Sequence, residues 1–132
     1  MDQQNPSIPK LRALVVDDDR FISALLEESL VALGLDVVKS RPSELFTQDL
    51  DQSIVLIIAD VNLRRDPDAN VITRLKYQYP GVSILAISAQ FWASTESAGD
   101  LARRLNVERV LAKPFSYHAF DMTVRSLLGK YE

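Results

Sequence analysis

Residues Ile54-Val55-Leu56-Ile57-Ile58-Ala59 form an unbroken apolar run of strand length, rich in β-branched side chains. A strand that is apolar on both faces must be covered on both. That is the setting of a central strand in a parallel sheet flanked by helices. Three further short apolar runs accompany it: Ala13-Leu14-Val15-Val16, Ile84-Leu85-Ala86-Ile87 and Val110-Leu111-Ala112. Each of the four ends, on its C-terminal side, in residues suited to phosphate or metal. These are Asp17-Asp18-Asp19, Asp60, Ser88 and Lys113-Pro114. In open parallel sheets the C-terminal strand ends share one edge, where ligands bind. Carboxylates, a hydroxyl and an ammonium would therefore meet in one cleft.

The segments between these runs carry helical periodicity. Strands are expected over 11–16, 35–40, 54–59, 82–87 and 107–112. Ile22, Leu25, Leu26, Leu30 and Leu33 recur near a 3.6-residue period, and Gly34 follows where a left-handed cap ends a helix. Pro42 opens a short second helix with Leu45, Phe46 and Leu50 as its buried side. The polar stretch 60–68 reads as a loop. A third helix then runs to about Tyr79 with Val71, Ile72 and Leu75 inward, and Pro80-Gly81 ends it. A fourth begins near Glu96, turns Ala98, Leu101, Ala102 and Leu105 inward and closes at Asn106, which tolerates the left-handed conformation. Ser116 is a good N-cap for the last, which carries Phe120, Val124, Leu127 and Leu128, with Gly129 near its end. Strict alternation of β and α implies a parallel sheet with right-handed crossovers. The economical arrangement is a flavodoxin-like (βα)5 fold, a doubly wound five-stranded parallel sheet of order 2-1-3-4-5. Residues 1–10 hold two prolines and no periodic pattern and read as a flexible leader; 11–132 read as one domain.

Composition narrows the function classes. The 132 residues are 47% hydrophobic and 25% charged, with net charge −3, so bulk charge gives no reason to expect nucleic-acid binding. The absence of cysteine removes thiolate metal sites, disulfides and thiol catalysis. No apolar stretch reaches the roughly 20 residues that cross a bilayer, and the polar N-terminus is no signal peptide, so the expected location is the cytoplasm.

Asp17, Asp18 and Asp60 at neighbouring strand ends would repel one another unless a cation sat among them. Such a hard oxygen donor set suits Mg²⁺ far better than zinc. Taken alone, the acidic triplet reads equally as a solvated strand-to-helix turn with Asp19 near the helix N-terminus. Lys113 can place a compact charge against carboxylate or phosphate, or be a surface lysine before a turn; Pro114 restricts it to extended backbone. Ser88 can donate to an anion or cap the following loop.

In chain order these residues resemble the receiver domain of bacterial two-component response regulators. The resemblance spans 11–128 and rests on Val15-Val16-Asp17-Asp18-Asp19, Ile57-Ile58-Ala59-Asp60, Ile87-Ser88-Ala89 and Lys113-Pro114-Phe115. It implies that Asp60 attacks the phosphoryl group of a histidine-kinase phosphohistidine and becomes an acyl phosphate. It implies that Asp17 and Asp18 position Mg²⁺, Asp18 more directly, and that Asn62 completes the metal site through its backbone carbonyl. Ser88 and Lys113 would close on the phosphoryl group. Implied partners are a sensor histidine kinase or phosphotransfer protein and a downstream protein target; a homodimer is compatible with the pattern. The chain would be no turnover enzyme, but would catalyse its own phosphorylation and slow dephosphorylation, with Asn62 and Gln90 influencing water access.

The sequence departs from that family in places. Val110 stands where an aromatic residue is usual, which puts the hydroxyl-to-aromatic relay in doubt. The loop after Asp60 carries Arg64 and Asp68 near positions usually held by proline and glycine. The 88–113 stretch is a few residues longer than usual, with Phe91 and Trp92 in the excess; aromatic burial preference favours a core or semi-buried place over an exposed patch. Arg64-Arg65 and Arg103-Arg104 read as solvated faces, and His118 has no phosphotransfer role; Tyr117 and Phe120 are expected to pack the last helix. One competing reading is a degenerate receiver that binds without phosphorylation. Another is a haloacid-dehalogenase-like phosphatase built on Asp17-x-Asp19. That chemistry needs a further acidic motif on a strand after the lysine, and it leaves Asp60 without a role.

Overall fold

The structure, a computed structural model, describes residues 11–44, 53–61, 66–93 and 96–129. The leader, Leu45, Phe46, Leu50, Asn62 and the Arg64-Arg65 pair lie outside the described residues. Strands β1 (Arg12–Val16), β2 (Asp36–Ser40), β3 (Ile54–Asp60), β4 (Ser83–Ser88) and β5 (Arg109–Ala112) form one parallel sheet in the order 2-1-3-4-5. Helices α1 (Arg20–Ala32), α2 (Asp66–Gln78), α3 (Ala98–Leu105) and α4 (Tyr117–Leu128) connect and flank it, with 3-10 turns at Pro42–Glu44 and Ala89–Ala93.

The doubly apolar run takes the centre, as its composition requires. Leu14, Val16, Ile57, Ala59, Ile84 and Ala86 face α2 and α3, packing on Val71, Ile72, Leu75, Leu101 and Ala102. Ala13, Val15, Leu56, Ile58, Leu85 and Ile87 face α1 and α4, packing on Leu26, Leu30, Phe120, Val124 and Leu128. One irregularity tunes the register: Arg12 pairs with Ile54, but Ala13 pairs with Leu56. Consecutive Val55 and Leu56 both enter the α1/α4 core, as a β-bulge allows. From there the pairing is regular, and Val16 lies opposite Ala59.

Several boundaries differ from the sequence reading for local reasons. Helix α2 starts at Asp66, inside the stretch read as loop; Pro67 is tolerated there because first-turn amides have no intrahelical partner. Strand β5 starts at Arg109 because the Val107 amide closes α3 onto Ala102 O, while Glu108 both donates to Ile84 O and accepts from Ile84 N. Among the described residues the expected second helix is the 3-10 turn alone. Leu25 and Tyr117, read as packing residues, are exposed beside an open groove between α1 and the start of α4. The aromatic pair splits: Phe91 is buried, whereas Trp92 is 67% exposed. The caps follow expectation. Ser116 accepts from the Ala119 amide, Asn106 is left-handed at φ 59° and Gly34 has φ 93°.

Phe120 is 1% exposed and stacks on Phe115 with ring centroids 5.6 Å apart. Phe120→Ala is expected to cost about 3–5 kcal/mol by urea denaturation, while Met122→Ala on the exposed side of the same helix changes stability by about 0.5 kcal/mol or less.

Candidate functional site

Strand register assembles the cleft. With Val16 opposite Ala59, Asp17 leaves β1 beside Asp60 at the end of β3. Asp60 pairs with Ile87, and the Val61 amide donates to Ile87 O at 2.8 Å. Ser88 pairs with Ala112, and the Lys113 amide donates to Ser88 O at 3.0 Å. Four strand ends thus deliver Asp17, Asp60, Ser88 and Lys113 to one edge. The Lys113–Pro114 peptide is cis.

Two charges are in direct contact: Lys113 Nζ lies 2.8 Å from Asp60 Oδ1. Asp17 sits deeper, 6% exposed, with Oδ1 accepting the Asp19 amide at 2.8 Å and Oδ2 buried without a hydrogen-bond partner. Burial is the main reason its carboxyl is pushed above the ordinary carboxylate range. The Asp19 amide opposes that, the Asp60 charge adds to it, and Lys113 offsets it in part. A buried carboxylate oxygen without a hydrogen-bond partner, on a residue that feels the charge of a second carboxylate, fits a hard cation such as Mg²⁺.

The acidic triplet divides by role. Asp19 is the N-cap of α1, accepting from the Phe21 and Ile22 amides at 2.9 and 3.2 Å. Asp18 is exposed. Among the described residues no three carboxylate or histidine groups converge so as to hold a metal ion, and Asn62 lies outside them. The pair Asp17 and Asp60 is therefore what this arrangement gathers.

Ser88 is buried at the end of β4, and its Oγ accepts the Gln90 amide at 3.1 Å. That bond is the loop cap that the sequence left open as one of two uses for Ser88, and it ties the hydroxyl to the 3-10 turn presenting Trp92. A serine hydroxyl accepting the amide two residues on is a common way to open a tight turn. Val110 is half-buried against the α2/α3 core. His118 and the Arg103-Arg104 pair are exposed, the arginines pairing with Asp100 and Glu96. No described helix is long and apolar enough to cross a membrane.

No protein-family model matches the chain. Over 121 residues it is 28% identical to the transcriptional regulatory protein CpxR of Escherichia coli, covering 90% of this chain and 50% of that protein. The chain spans about half the length of the curated relatives it matches. The solved structure of the Vibrio cholerae chemotaxis protein CheY4 superposes with a TM-score of 0.72 at 20% identity, covering 91% of this chain and all (100%) of that one. A response regulator from Thermotoga maritima gives 0.70 at 20% identity, covering 92% and 99%.

The raised Asp17 carboxyl has a consequence for the metal-free protein. A folded-state value above the ordinary one gives stability that is present below the ordinary carboxylate range and is lost as pH rises through the raised value. Asp17→Asn, which keeps an acceptor for the Asp19 amide, is expected to raise the melting temperature in EDTA at pH 7 by about 3–5 °C for each kcal/mol relieved. It should also flatten the loss of stability on the alkaline side of the carboxylate range, read by thermal denaturation across pH.

In fold and strand order, the chain matches the response-regulator receiver structures to which it is similar.

Proposed function

We propose that this domain accepts a phosphoryl group on Asp60 from the phosphohistidine of a sensor histidine kinase or phosphotransfer protein. The observation that carries the reading is the Lys113–Asp60 pair set beside buried Asp17 at the shared strand edge. An Asp60 carboxylate oxygen attacks phosphorus, the phosphorus–nitrogen bond breaks, and the donor imidazole keeps the electron pair. Such transfers gather negative charge on phosphoryl oxygens, so catalysis is positioning and charge neutralisation. Lys113 is already within contact distance of the acceptor and needs no large movement to neutralise that charge. Asp17 and Asp18, with Asp60 and the Asn62 carbonyl, would hold Mg²⁺, which when bound supplies the remaining positive charge.

After transfer the added charge, about −1.5 to −2, would draw the Ser88 hydroxyl toward the phosphoryl oxygens. Its bond to the Gln90 amide would loosen, and the Ala89–Ala93 turn is then the element that reports phosphorylation. Val110 has no ring to swing inward, so this turn, not a β5 side chain, carries the signal. The same water-accessible site hydrolyses its acyl phosphate slowly. The domain comprises residues 11–132 and works in the cytoplasm through protein contacts.

The donor's seat is the groove of about 470 Å³ between α1 and the β5–α4 turn. Ile22, Leu25, Phe115 and Tyr117 line it, and Lys113 closes one end, so a helix of the donor lying there would reach Asp60.

Incubation with Mg²⁺ and beryllofluoride is expected to change Trp92 fluorescence, and a small phosphodonor to add one phosphoryl mass, both lost in Asp60→Asn. An unlabelled Asp60 under conditions that label other receivers would overturn the reading. Leu25→Glu is expected to slow transfer from a protein donor about tenfold or more while leaving labelling by the small phosphodonor unchanged, measured by paired transfer assays.

A further inference from the structure

The 3-10 turn after β4 carries two consecutive aromatic residues with opposite fates. At three residues per turn, neighbouring side chains diverge by about 120°, so Phe91 enters the core while Trp92 stays outside. Phe91 is 6% exposed and belongs to the α2/α3 side of the core, in one cluster with Leu101 and Ala102 of α3 and with Val107 beyond it. Val110 and Ala112 of β5 pack against the same cluster. The turn itself lies along β5. The ring that β5 lacks at Val110 is therefore supplied from the turn.

Helix α3 is the element that depends most on that ring. It has eight residues, a length at which a helix is held by tertiary packing and not by its own propensity. Ser97 and Asn106 cap its ends, and its buried residues are Leu101 and Ala102, both members of the Phe91 cluster. Toward α4, an open cavity of about 480 Å³ has Ala98, Gly99, Ala102, Val110 and Thr123 on its walls. Packing thus holds α3 on the Phe91 side and leaves it room on the side of α4.

The turn is tied to the acceptor cleft through one hydroxyl. Ser88 Oγ accepts the amide of Gln90, the residue next to Phe91. We infer that Phe91 is a positioning residue that couples the Ser88 hydroxyl to α3. When the hydroxyl turns to a phosphoryl group on Asp60, the Gln90 amide is released and the ring withdraws from Leu101 and Ala102. Helix α3 then loosens toward the cavity. Close-packed side chains shift between discrete arrangements, so a release at Gln90 reaches α3 as a change of state. The inference rests on the proposed phosphoryl transfer to Asp60 and adds the route out of the cleft.

The test is hydrogen–deuterium exchange of the full chain by mass spectrometry, with Mg²⁺ alone and with Mg²⁺ plus beryllofluoride, while fluorine NMR counts the bound beryllofluoride. Peptides covering Ala98–Leu105 are expected to exchange at least about threefold faster in the beryllofluoride state. In Phe91→Leu, which keeps the site apolar, α3 exchanges fast in both states and the difference vanishes with beryllofluoride still bound. A ring that served stability alone would speed exchange in both states and leave their ratio intact, and that result overturns the inference. Trp92→Phe on the same turn and Val110→Ala on β5 keep the difference, and its loss in either likewise overturns it. Circular dichroism establishes that each variant folds. Bound beryllofluoride with unchanged exchange in α3 of the parent chain overturns the Phe91 link alone. No bound beryllofluoride overturns the phosphoryl-acceptor reading and this inference with it.

Discussion

The structure depends on how β3 pairs with β1. A strand that is apolar on both faces can be satisfied only between two helical layers, and that demand makes Ile54–Asp60 the axis of the sheet. Its register then decides everything at the edge. The shift between Arg12 and Ala13 brings Val16 opposite Ala59. Without it, Asp17 would lie one residue out of step with Asp60, and because side chains alternate along a strand it would point to the opposite face. A single extra residue near one end of the sheet therefore sets the geometry of the cleft at the other.

That cleft works against the stability of the fold that carries it. Asp17 is buried near the Asp60 charge with one oxygen unpartnered, a combination that raises the free energy of its ionised form. Lys113 compensates in part through its contact with Asp60. What remains uncompensated is a cost that a cation placed beside the two carboxylates would relieve.

Much of this was legible in the chain. The alternation of apolar runs and helical-period segments prescribes the sheet, and the topology that follows from it places β1, β3, β4 and β5 side by side. Ser116, Asn106 and Gly34 cap where their side-chain chemistry directs, because capping is a local interaction. The third aspartate of the triplet was readable as an N-cap for the same reason. The beginning of β5 was not readable. The Val107 amide and the Glu108 side chain have two chemically reasonable uses, and only the docking of α3 against β4 selects between them.

What the sequence determines alone is the set of groups that reach the sheet edge and the order in which they arrive, since both follow from the two periodicities of backbone structure. What only the tertiary structure decides is which of them meet. Leu25 and Tyr117 carry the right periodicity for burial yet border an open groove, and Phe91 is buried while its neighbour Trp92 is not. Asp17, Asp18 and Asp19 are identical in chemistry and adjacent in sequence. They become a buried cleft carboxylate, an exposed one and a helix cap, because burial and partners belong to the register and packing of elements distant in the chain.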